Sequence, residues 1–136
     1  MERQSTTGLA ERGIISRAQR NHETTVRANR AAYCCAAVLA SFFGCSVDVF
    51  YRASRGAAAE ATARQVAMYV MNTALSFTQA EIGYAYGRDR TTVGHAIVTV
   101  EAMREDENMD TIIGELAQMI VQLTELSLRY SEADAA

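Results

Sequence analysis

Residues 76–100 of the chain read SFTQAEIGYAYGRDRTTVGHAIVTV, and the fold turns on the middle of that run. Ser76 and Thr78 are each followed three residues later by Gln79 and Glu81, so a capping box opens a helix in either register. That helix is short, because Gly87 is free to take positive φ and turn the chain. Asp89 is then a natural N-cap for a second helix, its carboxylate accepting from amides near Thr91 and Thr92. Helix, tight turn, helix is the outline of a helix-turn-helix. In the second helix Val93, Ala96, Ile97 and Val100 share a face at i, i+3, i+4, i+7 and are expected inside. Arg90, Thr91, Gly94, His95 and Val98 are left outward.

That outward set has chemistry to offer a polyanion. Arg90 provides a fork for guanine or phosphate, Thr91 and Thr92 provide hydroxyls, a thymine-facing methyl and first-turn amides, and Gly94 lets the backbone approach closely. The competing reading is that these residues only cap and solvate a helix start. Helix-turn-helix geometry favours DNA, since the N-terminal end of the second helix is the part that meets base edges.

Outward from this pair the chain is helical throughout. No stretch alternates apolar and polar over a strand's length, and there is no Pro. Residues 1–12 are expected to be disordered, and Ile14 to Arg30 forms a polar, Arg-bearing amphipathic stretch. Ala31 to Val47 is uncharged, but its Ala, Cys, Ser and Gly content and its late start favour a core helix ending near Gly44 over a membrane span or signal peptide. A short turn at Val47 to Tyr51 and a small-residue loop at Arg52 to Ala59 come next. Helices are expected at about Thr62 to Leu75, Thr78 to Tyr86, Arg90 to Arg104 and Met109 to Tyr130. The fold class is therefore all-α: a compact helical domain over 31–130, a partly disordered N-terminal arm at 1–30, and a disordered tail at 131–136.

At 136 residues, 49% hydrophobic and 21% charged, the chain has the material for one core. All 13 basic side chains are Arg, so the P-loop lysine and Schiff-base chemistry are excluded. Cys34, Cys35 and Cys45 form no CxxC and have no His at ligand spacing, which argues for reduced cytosolic thiols and no metal site. The net charge of −3 divides into +3 for residues 1–31, −1 for 32–51, +2 for 52–100 and −7 for 101–136. A localised polyanion site is compatible with that division, and the overall acidity argues against a general nucleic-acid coat.

The run from Ile82 to Ala96 closely resembles the signature of the C-terminal DNA-binding domain of DnaA, the bacterial chromosomal replication initiator. Arg64 to Tyr69 resembles that domain's preceding helix, Gly44 to Arg55 its entry helix and basic loop, and the likeness spans about Ala31 to Leu123. The chain departs from the pattern in three places. Gly87 runs directly into Arg88, Arg90 stands where His is usual, and Gly94 replaces a bulky residue. By position the resemblance implies that Arg88 and Asp89 form the turn and that Thr91, Thr92 and His95 contact the major groove and phosphates. It implies further that Arg64 and Gln65 contact phosphate and that Arg55 reaches the minor groove. Asn72 stands where the family often has a Lys, which implies weaker, less salt-sensitive binding. The structural alternatives are an Arg64–Glu60 pair, an exposed neutral His95, and loop solvation by Arg52 and Arg55.

The resemblance implies a non-enzymatic, cofactor-free regulator that lacks the initiator's ATPase and binds double-stranded DNA at DnaA-box-like sites. Replication initiation or transcription is then its process, and a cytoplasmic, nucleoid-associated location is expected, with no membrane partner. The last helix raises an alternative. Ile112, Leu116, Met119, Leu123, Leu126 and Tyr130 form a stripe, widened by Ile113 and Ile120, that packs on its own domain or at its far end meets a second copy or another protein. In that case the chain modulates the DnaA initiator or its inactivating factor. Arg17, Arg20, Arg27 and Arg30 would contribute to the contact, and DNA binding would be weak.

Overall fold

The computed structural model of the chain describes residues 16–52 and 56–135, and within them every regular element is helical. Helix α1 spans Arg17–Phe43, a 3-10 turn follows at Val47–Phe50, and α2 spans Ala58–Thr73. The helix-turn-helix is α3 at Gln79–Tyr86 and α4 at Arg90–Met103, and α5 closes the chain at Glu107–Ala135. The all-α class and the order of elements are those expected. The disorder expected of residues 1–12, and Arg55 in the loop, lie outside the described residues.

Helix α1 starts at Ser16, whose hydroxyl accepts from the Gln19 amide at 3.1 Å while the Gln19 side chain accepts from the Ser16 amide at 3.2 Å. It ends at Gly44, where the Gly44 and Cys45 amides both donate to the Ala40 carbonyl. The compositional change at Ala31 does not interrupt it. The first half is polar and largely exposed, and the second buries Ala31, Ala32, Cys35, Ala36 and Leu39. Small side chains let neighbours come close, and the 3-10 turn, α2, α3 and α5 all pack on α1. The Tyr86 hydroxyl donates to the Ala32 carbonyl at 2.7 Å, fastening α3 to this hub. Burial pushes the Cys35 thiol well above its ordinary pKa, so it behaves as a small core side chain. None of the described helices is long and apolar enough to cross a membrane.

The inward row of α5 differs from the expected stripe. Ile113, Leu116, Ile120 and Thr124 are buried, and Ile112 is half-buried. Met119, Leu123, Leu126 and Tyr130 are exposed. Farther along, Arg30 of α1 donates to the hydroxyls of Ser127 at 3.0 Å and Ser131 at 3.3 Å. The helix has rotated its apolar sector so that one edge meets α1, and its polar continuation is met by an arginine.

Between α2 and α3 the structure selects one of the two capping registers. Thr78 is the N-cap, accepting from the Glu81 amide at 3.1 Å, and Glu81 accepts from the Thr78 amide at 2.9 Å. Ser76 instead turns the chain at φ 65°. The Asn72 side chain donates to the Phe77 carbonyl at 2.9 Å and so holds this same turn.

Candidate nucleic-acid interface

The turn between α3 and α4 is closed by backbone. Gly87 takes φ 70°, and the Arg88 amide returns to the Gly83 carbonyl at 2.8 Å. Gly83 is what permits this, because a Cβ there would stand 2.5 Å from the Arg88 carbonyl oxygen. Its signal in the sequence is a glycine inside a short helix, a mark of close backbone approach. Arg88 then reaches sideways and donates to the Phe50 carbonyl at 3.3 Å, bracing the turn against the 3-10 segment. Burial, and secondarily the charge of Arg64, lower the Arg88 pKa, though a guanidinium stays protonated across the physiological range.

Helix α4 begins at Arg90 with Asp89 in the extended N-cap conformation, but the Asp89 side chain makes no capping hydrogen bond. The carboxylate cap expected from the sequence is thus absent, and the amides of the first turn are left to other acceptors. Val93, Ala96 and Val100 are buried and Ile97 half-buried, as the periodicity predicts, while Arg90, Thr91, Thr92, His95 and Val98 are exposed.

The packing of α2 against α4 leaves a cleft of about 440 Å³. Arg64, Gln65, Arg88, Thr91, Thr92 and His95 line it, over a floor that includes Met68 and Ala96. Six of the sequence-predicted site residues therefore meet in one place, from two helices and the turn. Asp89, Arg90 and Gly94 are not in the lining, and Arg90 stands exposed at the helix start beside it. Arg55 lies outside the described residues. The neighbouring Arg52 pairs with Asp48 at 2.9 Å and with Glu60 at 3.6 Å, so Glu60 serves the loop as an ionic partner. Chemically the cleft combines two guanidinium groups, two hydroxyls, an amide side chain and a helix N-terminus, a set that complements an anion.

This arrangement coincides with a known family. The bacterial dnaA protein helix-turn-helix matches residues 33–100, from within α1 to the last turn of α4. The chromosomal replication initiator protein DnaA of Clavibacter sepedonicus is 38% identical over 85 residues, which is 61% of this chain and 18% of that protein. The DnaA of Leifsonia xyli subsp. xyli matches to the same extent. The chain thus covers about a fifth of the length of these relatives. With half of its 136 residues matched, including the turn and the cleft that the turn helps to build, the chain belongs to the bacterial DnaA helix-turn-helix family.

Proposed function

We propose that the chain is a non-catalytic module that binds double-stranded DNA in a sequence-specific manner at sites resembling DnaA boxes, and that it regulates replication initiation or transcription at the nucleoid. The observation that carries this reading is the cleft in which Arg64, Gln65, Arg88, Thr91, Thr92 and His95 gather at the uncapped start of α4. In this reading α4 enters the major groove, Arg90 and Thr91 meet base edges, and Arg64 and Gln65 hold a phosphate. Arg55 reaches the minor groove from the loop. Residues 31–130 form the DNA-binding unit.

The test is a fluorescence titration with a DnaA-box duplex and a scrambled duplex at two salt concentrations. Two base contacts predict a preference on the order of 10²-fold for the box. Equal affinity for both duplexes at both salts overturns the reading.

A second reading rests on a separate observation. Met119, Leu123, Leu126 and Tyr130 on α5, with Val26 and Tyr33 on α1, stand exposed on helices outside the cleft. In this reading the chain modulates the initiator or its inactivating factor through that surface. Leu126→Glu combined with Tyr130→Glu then abolishes the cellular effect and leaves DNA affinity unchanged. A parallel loss of both, or of neither, removes this reading.

A further inference from the structure

We infer that Gln79 and Gly94 form one reading unit, in which the Gln79 carboxamide, laid on the bare backbone of Gly94, contacts a base edge beside α4. The inference rests on the DNA-binding reading and adds to it a residue from the other flank of the helix.

Gly94 lies inside α4, where glycine is among the poorest helix formers. A Cβ built on it would stand 3.0 Å from Oε1 of Gln79, 3.7 Å from Cδ and 3.9 Å from Nε2. All three carboxamide atoms come close, so the amide group as a whole, and not its tip alone, lies against the space that a Cβ of residue 94 would enter. An alanine at 94 makes the amide give way by a few tenths of an ångström, and a longer side chain pushes it farther. Gln79 opens α3, is exposed, and spends neither its donors nor its acceptor on a hydrogen bond among the described residues.

Position gives this amide its role. Residues 90, 94 and 98 follow one another at i, i+4, i+8 along α4, and both Arg90 and Val98 are exposed. The Gln79 carboxamide supplies the polar group that Gly94 lacks in the middle of that row. On the opposite flank Gln65 comes from α2 into the cleft with Thr92 and His95. The outward face of α4 is thus bordered by two carboxamides from two different helices. A carboxamide carries a donor and an acceptor side by side, the pattern that matches N6 and N7 of adenine in the major groove, whereas a phosphate uses only the donor. The assignment is therefore an adenine contact.

The experiment first selects the preferred duplex of the full chain from a randomised pool, then measures affinity for that duplex and for each single-base variant of it. Gln79→Ala is expected to weaken binding to the preferred duplex about tenfold and to erase discrimination at one A·T pair while the other positions keep theirs. Gly94→Ala is expected to raise Tm, because alanine is the better helix former, and yet to weaken discrimination at that same pair. A merely structural role for the two residues predicts no such opposite movement. If wild type discriminates and Gln79→Ala retains every single-base ratio, or loses affinity equally for all duplexes as a phosphate contact would, the assignment falls while the DNA reading stands. If wild type shows no preference at all, both fall together.

Discussion

Thr124 is buried on the inward row of α5, and its hydroxyl has no hydrogen-bond partner among the described residues. Leaving a hydroxyl unsatisfied costs about 1–3 kcal/mol, so Thr124→Val, which keeps the shape, should stabilise the fold by about 1 kcal/mol. Chemical denaturation measures this, and a destabilised variant would show that the hydroxyl has a partner. Arg90 offers the contrasting case, exposed at the first position of α4. Arg90→Ala should leave Tm unchanged while flattening the preference between cognate and scrambled duplexes, by about 1–3 kcal/mol. An unaltered ratio excludes Arg90 from the site. Thr91 and His95 were legible because helical periodicity puts them outward irrespective of what surrounds them, whereas Arg64, Gln65 and Arg88 came from the family resemblance, and Arg90 and Gly94, outward by the same periodicity, do not line the cleft. The partners of Asp89 and Asn72 were not legible. Asp89 looked like a cap and makes no capping bond, and Asn72, which stands at a phosphate-contacting position by resemblance, holds the Phe77 carbonyl.

At the scale of elements, the helix-turn-helix depends on one close approach. Gly83→Ala drives a methyl into the Arg88 carbonyl, and the backbone must move to accept it. Overpacking of this kind costs about 1–3 kcal/mol, and the displaced turn should reduce DNA affinity in the same variant. Normal stability with normal affinity would mean that the turn yields freely. The start of α3 and the αL end at Gly87 were readable because caps and turns are local chemistry. The orientation of α5 was not. Its apolar residues spread over a wide sector, and only the Ala- and Cys-rich surface of α1 decides that Ile113 and Ile120 face inward and Met119 and Leu123 do not. The continuity of α1 was hidden for a related reason. A polar half and an apolar half look like two segments in sequence, yet one hydrogen-bonded helix runs through both from Ser16 to Gly44. Deleting residues 1–30 would therefore sever α1 and remove Arg30 from Ser127 and Ser131, so the contributions of Arg17, Arg20 and Arg27 are better sought by point substitution.

Across the whole molecule, positive charge accompanies the cleft and negative charge collects from the end of α4 through α5, with a net −7 over residues 101–136. Arg64→Ala should weaken binding to every duplex about equally and lower the slope of log affinity against log salt by about one unit. A fall in Tm with no change of slope would assign Arg64 to packing instead. The link from Arg88 to the Phe50 carbonyl has a kinetic consequence. The 3-10 segment, the turn and the start of α4 are joined before any duplex arrives, so these three parts of the surface do not have to order themselves during the encounter. Association then resembles the docking of a preformed die. Its speed is governed by long-range attraction toward the cationic side, and the lifetime of the complex by how well the die fits its groove.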